Sequence, residues 1–544
     1  MTEPVPPSRS RLALGRRAFD SAYARADRAL DRGQHHVFRF LWFFLPDTSI
    51  ARDARFQAIM ASRFFSDAGQ QALTYGALIA VVRGGGSAFE AALVGAAAIL
   101  PPALFGLYGG AVADQLPKRV ALAAIYNLQA LLCIFVPLLF GTGLPAVLFL
   151  IFAVHTLGQV SGPSEGSVIP LVATQEQLAS AASFIALASN VGTAFGTALL
   201  APILVRVFGE QAVFIVAGVM LALAASRVFD LSTRQPEPAA AQRFDWRRRP
   251  RLDVRGTLRW LAHERAVATM MFVAVLAGTA SIVVQTLAPR YVSAVLGVDP
   301  ADAVYVFGPS AIGLLIALAV TPALIRRIGE RFVALGGFVL TTAVLLLLGL
   351  LDHDLADLIA PVNPVRLLEV FGLSIDDELE AAGALAIVLG FGLTITATSV
   401  HTYINRRVPL AYQGRAFALQ TTLKNGTAIV PLLTLGGAAT VFGTANVLTV
   451  APLVLLALAF LLVRLSFAFA GHAPHGQLDV FASFWEESES PVVAPPDRGR
   501  PPRGGSGAAQ AAQEPREDGE HQGAERGREG DALSRPGADE QLAL

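Results

Sequence analysis

Twelve stretches of roughly 20 mostly apolar residues divide the chain, at about 57–82, 88–111, 118–141, 145–164, 178–205, 210–230, 266–290, 303–323, 332–351, 382–404, 416–438 and 445–466. A hydrocarbon layer about 30 Å thick is crossed by about 20 helical residues, whereas a barrel strand needs only about 10. Inside that layer each backbone N–H and C=O must find its partner within the protein, so runs of this length are read as helices. The predicted fold class is therefore all-α integral membrane with twelve transmembrane helices. Charged residues make up only 15% of the 544, against about a quarter in soluble domains. The first 36 residues are polar and dotted with arginine, with no apolar core of signal-peptide length. The first long helix is thus expected to direct its own insertion. Cys133 is the single cysteine and can form no internal disulfide.

The net charge of zero hides a segregation of charge along the chain. Residues 231–265 carry nine arginines against four acids, and 352–381 carry eight acids against Arg366. Positive charge collects in cytoplasmic loops. Twelve helices with both termini inside place the basic segment in the cytoplasm and the acidic one outside. Two further turns on the expected inner side agree, with Arg326-Arg327…Arg331 and Arg406-Arg407…Arg415. A nucleic-acid patch is the other explanation of the arginine run; between membrane helices the cytoplasmic loop is preferred, and no nucleic-acid partner is expected. Residues 1–53 read as a cytoplasmic extension, within which Val37–Leu45 is either an interfacial anchor or a short helix under the bundle. Residues 467–544, rich in Pro, Gly, Gln, Glu and Arg, read as a disordered cytoplasmic tail. Only Lys118 and Lys424 are lysines; with the abundance of Ala, Gly and Arg this suggests a GC-rich bacterial genome.

Between the second and third stretches lies Gly109-Gly110-Ala111-Val112-Ala113-Asp114-Gln115-Leu116-Pro117-Lys118-Arg119. The glycines allow close helix approach, and Lys118-Arg119 marks the inner side. This turn resembles the signature between the second and third helices of the major facilitator superfamily, with Gly110, Asp114, Lys118 and Arg119 at matching positions; Gln115 replaces the usual Arg and Pro117 the usual Gly. A degenerate partner, Pro322…Arg331, recurs in the second half, and Ile169-Pro170-Leu171 is echoed by Val408-Pro409-Leu410. The resemblance implies two pseudo-symmetric six-helix bundles, 54–230 and 266–466, around a central loop. Ser66-Asp67-Ala68-Gly69, Leu100-Pro101, Gly106 and Pro409…Gly414-Arg415-Ala416-Phe417 look most like the branch of drug, macrolide and siderophore exporters. Two features depart from that branch. The fourth helix offers His155 and Gln159 but no Arg, and Gly192…Gly196 in the fifth keeps the spacing of its motif but not its proline.

An ionisable group in a membrane helix costs about 2.5–3.5 kcal/mol on insertion scales, so each needs a reason. Asp67 lies about ten residues into the first stretch, roughly 15 Å deep. It is either a protonatable coupling carboxylate or the structural partner of Arg63, one helical turn away. His155 is a second candidate for proton coupling; the alternative is a neutral ring bonded to a neighbouring helix. Lys424, beside Asn425, either snorkels or faces a carboxylate or an anionic substrate. Arg63, Gln159, Gln285, Lys424 and Asn425 are candidate cavity residues, with Thr394, Thr396, Thr398 and Gln420 as further polar contacts or interhelical bonds. Glu165 falls at the cytoplasmic end of the fourth stretch, where a solvated or gate-lining role is expected. The resemblance assigns Gly110, Asp114, Lys118 and Arg119 to an inner gate.

No phosphate-binding Gly-x-x-x-x-Gly-Lys-Ser/Thr is present, and no Cys/His cluster has metal spacing. No cofactor, metal or enzymatic activity is expected. The function that the resemblance implies is driven by an ion gradient, that of protons: efflux of a hydrophobic or amphipathic small molecule by a monomer in the plasma membrane. The same fold also serves importers and facilitators, and a non-transporting sensor or scaffold would act through its termini. Asp114→Ala is expected to lower transport while leaving the protein inserted; a normal transport rate would remove Asp114 from the gate.

Overall fold

The computed structural model describes residues 50–115, 118–174, 177–229, 265–351, 377–408 and 410–468. Twelve long helices run through them: α1 Ala54–Arg83, α2 Ala88–Gln115, α3 Lys118–Phe140, α4 Leu144–Val172, α5 Leu178–Phe208, α6 Glu210–Phe229, α7 Arg265–Ala294, α8 Ser310–Ile328, α9 Glu330–Gly349, α10 Asp377–Arg407, α11 Leu410–Phe442 and α12 Thr444–Ala468. The expected N-terminal extension, arginine-rich loop, acidic loop and C-terminal tail lie almost wholly outside the described residues.

Eleven of these helices are long and apolar enough to cross a membrane. The exception is α1, which carries Arg55, Gln57, Ser62, Arg63, Ser66, Asp67, Gln70 and Thr74. Its polar side chains are tolerated because α1 sits inside the first bundle, against α2, α4, α5 and α6. Asp53 caps its start by accepting from the Arg55 N–H at 2.9 Å.

Two boundaries differ from expectation. The eighth stretch begins as a separate five-residue helix, Ala303–Phe307, and α8 starts only at Ser310. Gly308-Pro309 lies between them, and proline supplies no N–H to continue a helix. The fourth stretch runs past Ser164 to Val172, which changes the setting of Glu165.

The halves repeat one another. In the first, α1 packs on α6 and α5, α2 on α4, and α3 on α6; in the second, α7 packs on α12 and α11, α8 on α10, and α9 on α12. Single glycines at equivalent places, Gly209 (φ 83°) and Gly443 (φ 89°), reverse the chain between α5 and α6 and between α11 and α12. Positive φ is open to glycine at little cost.

The halves meet chiefly along α2 and α11, which run antiparallel. The Phe89 N–H donates to Thr440 Oγ1 (3.0 Å), Gly436 faces Ala92, and Gly95 faces Thr286 and Leu432. At the end of the molecule carrying the α1–α2, α5–α6, α7–α8 and α11–α12 turns, two ion pairs join the halves: Arg83–Asp299 (2.7 Å) and Arg206–Asp302 (2.6 Å). The opposite end carries the α2–α3, α8–α9 and α10–α11 turns. Neither α4 nor α5 packs extensively on α8 or α10 there. The described helices are thus joined at the first end and parted at the second.

Exposed ion pairs contribute about 0.2–1 kcal/mol each, so the two together hold the joined end against opening by about two- to thirtyfold in population. In a Cys133→Ala background, Thr286→Cys is buried at the α2–α7 contact. It is expected to react with a membrane-impermeant thiol reagent about two- to thirtyfold faster when Asp299→Asn and Asp302→Asn are added. An unchanged rate would show that these pairs do not hold that end.

Candidate functional site

α1 and α5 approach each other through glycine. A methyl group at Gly192 would lie 2.6 Å from the Phe64 carbonyl oxygen, and one at Gly196 would overlap the Ala68 backbone. Only glycine leaves room for this contact. Ser189, one turn before Gly192 on the same face, is thereby carried to Asp67 and donates to its Oδ2 at 2.5 Å. A six-residue π turn, Phe195–Leu200, follows in α5, with the Ala201 N–H bonded to the Gly196 carbonyl five residues back. Pro202 explains it: lacking an N–H, it cannot satisfy the Ala198 carbonyl in α-register.

Beside this contact Arg63 bridges two acids. Its Nε lies 2.8 Å from Asp67 Oδ2, and its Nη1 donates to Glu165 Oε2 at 2.5 Å. Nη2 donates to Ser189 Oγ at 3.2 Å. The second oxygen of Glu165 accepts from the buried Tyr126 hydroxyl. Ser66 bonds Tyr126 in turn and accepts from Gln70 Nε2 at 3.0 Å. Four helices therefore converge: α1 with Arg63, Asp67, Ser66 and Gln70, α3 with Tyr126, α4 with Glu165, and α5 with Ser189.

Glu165 corrects the sequence expectation. It is buried, within α4 rather than at its end, because Gly162-Pro163 does not terminate the helix. The Arg63–Asp67 pair exists, but as part of a triad in which one guanidinium serves two carboxylates. With both acids ionised the triad carries one net negative charge; a single proton neutralises it. Ser189 and Tyr126 were not singled out from the sequence. The Ser189-x-x-Gly192-x-x-x-Gly196 spacing was the available signal for the first; Tyr126 offered none.

His155 lies one to two turns further along. Thr74 Oγ1 donates to the Gln70 carbonyl (3.0 Å) and sits 2.9 Å from His155 Nε2. With the Thr74 proton so placed, the ring N–H donates to the hydroxyl, so His155 is held by a neighbouring helix. Gln159 donates to the His155 carbonyl at 3.0 Å. On the other side of Gln159, a methyl at Gly106 would lie 3.7 Å from both Gln159 Oε1 and Thr422 Oγ1.

The second half holds a cavity of about 510 Å³ between α7, α10 and α11, lined by Ser281, Thr394, His401, Gln420, Thr421 and Lys424 among apolar neighbours. Gln285 is exposed on the Gly278–Ser281 face of α7, one turn beyond the lining. Asn425, beside Lys424, is buried and outside it; one residue along a helix turns the side chain by about 100°. Thr396 is also buried, bonded to the Gly392 carbonyl at 2.8 Å. Gly110 and Asp114 fall on α2, and Lys118 and Arg119 at the start of α3, at the parted end. Of the four, only the side chain of Arg119 is described, and it is half-buried. Arg331, its counterpart in the second half, donates to the Tyr403 hydroxyl at 2.6 Å.

Two six-helix halves that repeat in packing, joined at one end and parted at the other, define the architecture of a secondary membrane transporter. The sequence profile of the Major Facilitator Superfamily matches residues 59–431, and the chain belongs to that family. Solved structures share the fold. A bacterial homolog of the human lysosomal transporter Spinster, inward-facing and unoccupied, superposes with a TM-score of 0.60 at 14% identity, over 81% of this chain and 100% of that one. The nucleoside transporter NupG gives 0.56 at 15%, over 75% and 98%. The D-xylose-proton symporter gives 0.53 at 12%, over 73% and 95%. No curated protein matches the chain.

Arg63→Met would leave the buried Glu165 and the half-buried Asp67 without their cation. The expected cost is about 3–5 kcal/mol, read as a lower thermal unfolding midpoint of the purified protein. Adding Asp67→Asn and Glu165→Gln is expected to recover most of it; no recovery would mean that Arg63 stabilises the bundle by packing alone.

Proposed function

We propose that the protein is a proton-coupled secondary transporter that exports hydrophobic or amphipathic small molecules from a bacterial cell by alternating access. The observation that carries this reading is the Arg63–Asp67–Glu165 triad, in which two carboxylates share one guanidinium. Taking up one proton removes the net charge of the triad, and releasing it restores the charge. Because α1, α3, α4 and α5 each contribute a side chain, the change in charge acts on how these helices pack. His155, already held by Thr74, is assigned to packing rather than to the proton step.

Lys118, Arg119, Arg326, Arg327, Arg331, Arg406 and Arg407 gather at the parted end. At the joined end, Arg83 and Arg206 are paired with acids. The positive-inside tendency supports a cytoplasmic parted end, and with it cytoplasmic termini. The structure then corresponds to the state open inward. Export as the direction draws on the likeness of Ser66-Asp67-Ala68-Gly69 and Gly414-Arg415-Ala416-Phe417 to exporters.

The test is dye accumulation in a pump-deficient bacterium, with lipophilic fluorescent dyes of positive, neutral and negative charge. Wild-type protein is expected to lower accumulation of at least one dye, and a protonophore to abolish the effect. Asp67→Asn or Glu165→Gln is expected to reduce energised efflux of that dye about tenfold or more while the protein remains in the membrane. Protonophore-insensitive efflux, or full efflux by both variants, would exclude proton coupling at the triad.

A further inference from the structure

The cavity between α7, α10 and α11 holds a cation that no acid among the described residues answers. Lys424 lies well inside α11, its stem crossing α7 at Gly278, where a methyl group would overlap the lysine side chain. Gly278 thus gives the stem a bed and leaves the ammonium in the cavity. Among the described residues the ammonium forms no ion pair and no hydrogen bond, and no acid lines the cavity. The two acids of the opposite half, Asp67 and Glu165, are already held by Arg63. Gln420 adds a side-chain oxygen that is buried and without a hydrogen-bond partner. Around these groups, Ser281, Thr394, Thr421 and His401 supply further polar contacts, and Ala274, Ala277, Leu393 and Ala397 supply an apolar wall. About 510 Å³ is the size of a small-molecule site.

We propose that this cavity binds the anionic group of an amphipathic organic acid (a carboxylate, sulfonate or phosphate on an apolar frame), with Lys424 as the residue that pairs with the negative charge. The apolar wall takes the frame. The Gln420 oxygen requires a donor, so a ligand with a hydroxyl or N–H near its acidic group fits better than a bare acid. The inference rests on the transporter reading for its purpose, since it names the substrate class. It does not rest on proton coupling, because binding to Lys424 needs no gradient.

The experiment uses the full chain in phosphatidylcholine nanodiscs and reads thermal unfolding. The probes are naphthalene-2-carboxylate, biphenyl-4-carboxylate and adamantane-1-carboxylate, each beside the amide and the amine of the same frame. At least one acid is expected to raise the unfolding midpoint and its amide and amine not to. Lys424→Met is expected to weaken that acid about tenfold to hundredfold, Lys424→Arg to retain it, and Gly278→Leu to weaken it by displacing the lysine. Each variant's own unfolding transition shows that it is folded. Binding is read without any ion gradient and protonophore has no bearing on it, which separates this inference from the proton site. In nanodiscs that also contain phosphatidylglycerol, a rise in midpoint without added acid, lost in Lys424→Met, would identify a lipid headgroup as the anion. The proposal is overturned if no acid binds at millimolar concentration with no such lipid effect, if amides or amines bind as well as acids, or if Lys424→Met binds undiminished.

Discussion

A guanidinium held between two carboxylates inside a membrane bundle sets the terms for the rest of the first half. Without Arg63, the acids of α1 and α4 would be unpaired inside the helix bundle, where an ionised group is costly. With it, α1 can be the most polar of the twelve helices and still occupy the centre of its bundle. The close packing of α5 on α1 at Gly192 and Gly196, the buried Tyr126 of α3 and the extension of α4 beyond Glu165 all serve to place a donor against one of those acids. The surrounding structure makes sense as the enclosure of one charge group.

The helices were legible in the sequence because the bilayer imposes a length, and apolar runs of that length leave little alternative. Boundaries were less so. Gly308-Pro309 breaks the eighth stretch, whereas Gly162-Pro163, of similar composition, leaves α4 continuous, and nothing local distinguishes the two. That difference decided the placement of Glu165. Its partner Arg63 is about a hundred residues away, so only the packing of α1 against α4 reveals the triad. The Arg63–Asp67 contact, one helical turn apart, was accessible to periodicity; the contributions of Tyr126 and Ser189 were not. Asn425 shows the converse error, since adjacency to Lys424 in sequence placed it near the cavity, but the helix turns it away.

The two halves repeat in packing yet differ in charge. The first joins Arg63, Asp67 and Glu165 across α1 and α4; in the second, Lys424 of α11 faces a cavity that no acid among the described residues lines. Pseudo-symmetry of the backbone therefore does not extend to the chemistry, and division of the two tasks between the halves follows. On the proposed readings, a proton completes one half and an organic anion completes the other. Each half then has a loaded form without net charge and an unloaded form with charge of opposite sign to its partner's.

That arrangement has a consequence for direction. Moving one elementary charge across a membrane potential is worth about 2.3 kcal/mol per 100 mV. In a cell with a negative interior, a proton entering and an anion leaving both move charge down the field. The protonated carrier without substrate bears the Lys424 charge, and the carrier with bound anion but no proton bears the charge of the triad. The first is drawn inward in charge terms and the second outward, so exchange is favoured on both strokes. Joint movement of proton and anion in one direction would be electrically neutral and would gain nothing from the potential. For an anionic substrate, the placement of acids in one half and an unpaired base in the other is thus energetically suited to export by exchange.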